Sequence, residues 1–376
     1  MSGKKMLAAI QGLVGGPHMR ENGSSMAWHS GLGFQSYEEA LVRACYNILL
    51  GREPEAEVSV AQKAPRIPED QEQRFREVLR RFVQSEEFNA SQGGFVSQPL
   101  LPLDQLIQGT RLQVEDKVRS LCRTTYLGDG VALCRILGRF HMFVHTSDVG
   151  FATHMLHRGV WEMWLTEFMV RTIKPGMRVL DVGGNFGYYS VLMSDLVGPA
   201  GHCHIFEPNQ KIAELLGRTL AVNFADRYRI WEIALSDRDA EMANFFIPYT
   251  EPKNAQLVPC IDESLRTKGS FTEVPIRSMD SIADELGRID FIKIDTEGAE
   301  LDILAGMRAV ALAQRPNIVV EVNCGRGYDA GPILREFEEI YGSINIIGGD
   351  GFSRKTSIEE VTTTHMDSDW LIHFTS

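Results

Sequence analysis

"RVLDVGGNFGYYS", Arg178 to Ser190, is the stretch on which the reading of this chain turns. An apolar strand breaks at an aspartate, passes through a glycine-rich turn and enters a helix. The turn reads D-x-G-x-N-x-G, with Asp181 at the strand's end, glycines at 183, 184 and 187, and Asn185 between them. It is neither the dinucleotide fingerprint G-x-G-x-x-G nor the phosphate loop ending in G-K-[ST]. A turn of this shape still holds a cofactor in α/β proteins, so the question is which one.

The flanking pattern supplies the frame. Strand-like segments at 177–182, 202–207, 229–235, 289–295, 317–323, 343–348 and 369–375 alternate with helical ones at 187–197, 210–222, 298–305 and 331–340. Such alternation predicts parallel crossovers and a sheet covered on both faces. Ligands of these sheets sit outside the carboxyl ends of the strands, where Asp181, Glu207 and Asp295 fall. Glu207, in "HIFEPN", ends the second strand and can accept both hydroxyl hydrogens of a ribose. Glycines 183, 184 and 187 allow close backbone approach at the turn. Asp181 can orient an ammonium, directly or through water. These features suit S-adenosylmethionine, which has a ribose diol and an ammonium but no phosphate. A turn aspartate that merely caps its helix, or a solvated strand-end glutamate, explains either acid alone but not both around one glycine turn.

"IDFIKIDTEGAELDILAGM" carries the third acidic group. Acids favour helix N-termini, which suffices for Glu300 and Asp302. Lys293, inside the strand, needs a partner or an outlet to solvent and so belongs near the cleft. Asp295 and Glu297 leave the strand beside the cofactor strand and are read as functional.

Outside this region the chain is ordinary or sparse in chemistry. Its 376 residues allow two or three domains, and a formal charge of −12 argues against a nucleic-acid surface. The six cysteines show no C-x-x-C or zinc spacing, no stretch approaches the ~20 apolar residues of a membrane span, and no signal peptide is evident. A soluble, cytoplasmic protein without a membrane span is expected. Residues 1–35 read as a flexible leader, 36–95 as a small helical module, 96–145 as a linker and N-terminal extension, and 146–376 as the catalytic domain. "YNILLGREPE" with "FVQSEEFN" resembles a short helical repeat found in bacterial surface-polysaccharide and secreted proteins, which implies packing, docking to a partner or self-association without chemistry.

"GMRVLDVGGNFGYYSVLMSDLVGPAGHCHIFEPN" and "IDFIKIDTEGAELDILAGM", with "GVWEMWLTEF", "ALSD" and "RSMDSI", together resemble the FkbM-type S-adenosylmethionine-dependent methyltransferases over roughly 145 to 376. Gly184 stands where alanine is commoner and Thr296 where valine is commoner; neither change removes a functional group. The resemblance implies a class I methyltransferase fold: a Rossmann-like seven-stranded sheet whose last strand, "DWLIHF", is antiparallel, here with a small N-terminal all-α domain. It implies that Glu162 faces the cofactor and that Ser236 and Asp237 border the adenine. It also implies transfer to a hydroxyl of a sugar, glycolipid or natural product.

A sugar hydroxyl must lose its proton as the methyl arrives, and a general base typically contributes roughly 10²–10⁴-fold. Asp295 and Glu297 are the candidates, as base or, for Asp295, as ligand of a divalent ion such as magnesium. His145, His154 and His157 are secondary. Lys253 and Asn254, in the 248–272 segment, are expected in the wall around the acceptor. Two other readings compete: a catalytically silent scaffold in a polysaccharide-assembly complex, and a glycosyltransferase suggested by Asp367-Ser368-Asp369. The intact cofactor pattern opposes the first, and the frequency of D-x-D by chance weakens the second.

Overall fold

The computed structural model describes residues 100–224, 226–258, 260–261, 263–364 and 368–376. The leader, the helical module at 36–95 and Asp367 of the D-x-D lie outside the described residues.

The described chain opens with helix α1 (Arg111–Leu121), whose start is fixed by a reciprocal cap between Thr110 and Gln113. Three antiparallel strands follow: β1 (Thr124–Gly128), β2 (Val131–Ile136) and β3 (Phe140–His145). The last two are mostly apolar, with Arg135 and His141 among them, and are buried almost throughout. This stretch, read from sequence as linker and extension, is therefore an ordered layer of the same body. Helices α2 (Ala152–His157) and α3 (Met163–Thr172) lead into the first strand of the main sheet, β4 (Arg178–Val182).

From β4 the alternation expected from sequence appears: α4 (Tyr188–Val197), β5 (His202–Phe206), α5 (Gln210–Asn223) and β6 (Tyr228–Trp231). The hairpin layer is pinned to α5, because Phe143 donates its amide to Thr219 Oγ1 at 3.0 Å and Asn223 accepts the His141 amide at 3.1 Å. The strand expected over 229–235 splits in two. β6 stays in the main sheet, whereas β7 (Ala234–Leu235) joins a second, four-stranded sheet with β8 (Ala240–Pro248), β9 (Gln256–Leu257) and β10 (Gly269–Arg277). That sheet is an insertion between the third and fourth strands of the main one, and sequence alternation gave no sign of it.

The main sheet resumes with α6 (Ala283–Leu286), β11 (Phe291–Ile294), α7 (Glu300–Ala305), α8 (Arg308–Gln314), β12 (Asn317–Val322), α9 (Gly331–Tyr341), β13 (Asn345–Ile347), β14 (Ser353–Lys355) and β15 (Trp370–Phe374). Its order is β14-β13-β15-β12-β11-β4-β5-β6. The pairs joining β6, β5, β4, β11 and β12 are parallel, and β15 runs antiparallel between β12 and β13. This is the seven-stranded class I order with one strand added. The addition, β14, folds back on β13 at the exposed edge after the glycine-rich turn at 348–351. Two apolar clusters, one dominated by α4, α5 and the hairpin layer and the other by α7 to α9, bury the sheet on both faces.

Candidate functional site

A cavity of about 340 Å³ opens at the carboxyl edge of β4, β5, β11 and β12, within the size range of small-molecule sites. Its floor is the turn after β4. Gly183 has φ +83°, and a Cβ there would lie 1.9 Å from the Asp295 carbonyl oxygen, so only glycine lets the turn pass under the end of β11. The amides of Gly183 and Gly184 both donate to the Phe206 carbonyl at 3.0 Å, tying the turn to the end of β5. Gly187, also at positive φ, caps α4.

Glu207 follows directly after β5. One carboxylate oxygen accepts the Asn185 amide at 2.9 Å and the other the Asn209 amide at 2.8 Å, which fixes the group against the turn. Burial pushes its carboxyl up to about 7, against the pull of those two amides. Phe206, Ile233 and Leu235 supply an apolar wall beside it.

Asp181 stands elsewhere than the sequence suggested. It pairs with Lys293 across β4 and β11, its side chain is 1% exposed, and it lies behind the cavity wall. Ser190 donates to Oδ2 at 2.6 Å, and Lys293 Nζ lies 3.6 Å from Oδ1. Asp181 therefore holds Lys293 in place instead of facing the cavity. Lys293, buried on the same strand face, also lies 3.3 Å from Asp295 Oδ2 and 5.1 Å from the Tyr189 ring centroid. Burial pulls its ammonium down, but Asp295 and Asp181 together outweigh this and hold it raised.

Asp295, Glu297 and Glu162 do line the cavity. Glu297 sits 2.9 Å from Arg326 and 3.9 Å from Lys253; burial, then Asp295, raises its carboxyl. Glu162 accepts a 2.7 Å hydrogen bond from Tyr189, and burial followed by Asp295 raises it as well. Of the six non-glycine residues at positive φ among the described residues, three are cavity residues: Glu162, Asn185 and Glu297. Backbone held in this region costs of order 1–3 kcal/mol per residue and gathers at functional sites.

Ser236 and Asp237 do not reach the cavity. The Ser236 amide is bonded to the Arg277 carbonyl, and Asp237 turns to Arg238. Because the chain crosses at this point from β6 into the second sheet, Ile233, Ala234 and Leu235 take the lining positions instead. His145, His154 and His157 also lie off the cavity: His145 bonds Ser147, and His154 packs edge-on against Trp161. Among the described residues no three His, Cys, Asp or Glu side chains are grouped to hold a metal ion, and the group facing Asp295 is the Lys293 ammonium.

Lys253 and Asn254, from the insertion, line the cavity. Asp148, fully buried, fixes that wall by accepting the Phe151 amide at 3.0 Å and the Lys253 amide at 3.1 Å. Phe151 in turn stacks on Phe186 of the turn, with ring centroids 5.8 Å apart.

Two charged cavity residues escaped sequence reasoning, Glu321 near the end of β12 and Arg326 after it, and Asp369, before β15, drew notice only as part of the D-x-D. Glu321 left one sign, an acid inside the apolar run "NIVVEV", the same anomaly that drew notice to Lys293.

Among known proteins, the chain is 30% identical over 183 residues to the AMB antimetabolite synthetase AmbE of Pseudomonas aeruginosa, covering 40% of this chain and 8% of that one. It is 28% identical over 170 residues to methyltransferase sdnD of Sordaria araneosa, covering 38% and 65%. The chain thus spans less than two thirds of the length of these curated relatives. A crystal structure of methyltransferase FkbM from Methylobacillus flagellatus aligns at 14% identity and a TM-score of 0.33, covering 60% of this chain and 55% of that one. The family model of the methyltransferase FkbM domain matches residues 181–344, from the acid of the first turn to the approach of β13. Residues 181–344 belong to the methyltransferase FkbM domain family.

Proposed function

We propose that the protein is an S-adenosylmethionine-dependent O-methyltransferase acting on a hydroxyl of a sugar, glycolipid or natural-product precursor. The observation that carries the reading is Glu207, a carboxylate locked by two backbone amides beside a glycine turn. It keeps lone pairs for a ribose diol, and the wall of Phe206, Ile233 and Leu235 suits an adenine face. Bound S-adenosylmethionine would supply an electrophilic methyl group. In this reading Glu162 and the Asp181–Lys293–Asp295 chain shape the charge around the cofactor's amino-acid end. Asp295, Glu297, Lys253 and Asn254 hold the acceptor.

The direct test is transfer of isotope-labelled methyl from S-adenosylmethionine to a panel of monosaccharides, nucleotide sugars, glycolipids and polyketide alcohols, read by mass spectrometry. Label on oxygen is the expected result. Label on nitrogen or carbon instead would overturn the O-methyl assignment, and cofactor binding without transfer to any acceptor would favour a silent scaffold.

A pH dependence follows from Glu207. If the ionised carboxylate receives the ribose hydroxyls, cofactor affinity should hold above about pH 7 and weaken as pH falls below it, by up to ~10-fold per unit. Calorimetric titration between pH 5 and 8 checks this, and Glu207→Gln should flatten the curve. A wild-type affinity constant across that range would remove Glu207 from the ribose.

A further inference from the structure

Among the described residues six carboxylates line the cavity: Glu162, Glu207, Asp295, Glu297, Glu321 and Asp369. Five are engaged by close partners. Glu207 receives two amides, Glu162 the Tyr189 hydroxyl, Asp295 faces Lys293, Glu297 faces Arg326 and Lys253, and Asp369 accepts the Asn323 side-chain amide at 2.7 Å. Glu321 is held most loosely. Its single polar contact among the described residues is Arg326 at 3.5 Å, and that guanidinium lies closer to Glu297, at 2.9 Å.

Its place in the fold is also apt. Glu321 opposes Leu371 across β12 and β15 and lies one position past the β11 partner Val320, at the carboxyl edge where acceptors approach. We propose that Glu321 faces the reacting centre and takes the proton from the acceptor hydroxyl. This rests on the cofactor reading above. As the acceptor's oxygen–carbon bond forms, the carbon–sulfur bond breaks and its electron pair stays on sulfur. The hydroxyl proton passes to Glu321 and then to solvent. Asp295 already faces the Lys293 ammonium through Oδ2, and in this proposal it orients the acceptor while Glu321 takes the proton.

The surroundings support the assignment. Burial raises the Glu321 carboxyl well above the usual range, and Asp295, Asp369, Glu162 and Glu297 raise it further; among the described residues Arg326 is the cation in contact. A positive centre arriving in the cavity offsets that repulsion and lets Glu321 ionise in the loaded site, where a base is needed.

The test needs no acceptor. Sinefungin has an amine where the cofactor bears its methyl, whereas S-adenosylhomocysteine has nothing there. Calorimetry of the whole chain should show sinefungin binding roughly tenfold or more tighter than S-adenosylhomocysteine, with extra proton release when titrated in buffers of different ionisation enthalpy. In Glu321→Gln both differences should vanish while S-adenosylhomocysteine affinity stays unchanged. Should that variant fail to fold, Glu321→Asp replaces it and should retain only part of the preference. A sinefungin preference that persists undiminished in either variant overturns the assignment. A wild-type chain that binds none of these ligands overturns the cofactor reading itself, and this inference with it.

Discussion

Lys293→Met should lower the stability of the folded chain by about 3–5 kcal/mol, the usual loss when one partner of a buried ion pair is removed. The lysine and Asp181 side chains are 4% and 1% exposed, so water cannot replace the missing ammonium. Among the described residues Asp181 would keep Ser190 as its partner. The loss should depend on pH. Burial already raises the Asp181 carboxyl and Lys293 pulls it down; without the lysine its folded value rises further above the unfolded value. The variant should therefore be least impaired below about pH 4, the ordinary aspartate range, and lose stability as pH rises through the shifted value. Chemical denaturation of wild type and variant at pH 4 and pH 7.5 checks both parts. Equal stability at pH 7.5 would mean that Asp181 is not an ionised partner of Lys293, and the charge chain beneath the cavity would fall with it.

Glu207→Ala should weaken S-adenosylmethionine binding by about 10²–10⁴-fold, the equivalent of two hydrogen bonds to a charged acceptor. Glu207→Gln keeps one acceptor oxygen and should fall between the alanine variant and wild type. The Asn185 amide borders the cavity, where water can satisfy it, whereas Asn209 is buried off the lining, so the melting temperature should also fall, by the loss of one buried hydrogen bond. Titration calorimetry with parallel thermal melts separates the two effects. An alanine variant that binds as wild type does would place the ribose elsewhere.

Much of this was legible in the sequence because local rules govern it. The strand–turn–helix at Arg178–Ser190 carries its glycines where Gly183 must pass beneath Asp295, and the run "FIKI" before Asp295 fits a strand buried on both faces. The contacts of Asp181 were not legible because its side chain is set by a neighbour far along the chain. Only the register of β4 against β11 brings Lys293 opposite it. Ser236 and Asp237 were misplaced for a related reason: nothing local shows that the chain leaves the main sheet at Ala234 to pair with β10. The insertion itself has the composition of an irregular loop, and its β8–β10 pairing spans an intervening segment too long for a hairpin signal. Glu321 and Arg326 become cavity residues only through the folding of β12 beside β11, so no spacing rule could have joined them to Asp295.

The most direct measurement is a calorimetric titration of S-adenosylmethionine into the purified wild-type chain, with S-adenosylhomocysteine as competitor and NAD as control. Binding at one cofactor per chain, displaced by S-adenosylhomocysteine and absent with NAD, is the expected result. A chain that melts cooperatively yet binds NAD, or binds neither sulfur-containing ligand, would contradict the assignment of the Glu207 cavity as an S-adenosylmethionine site.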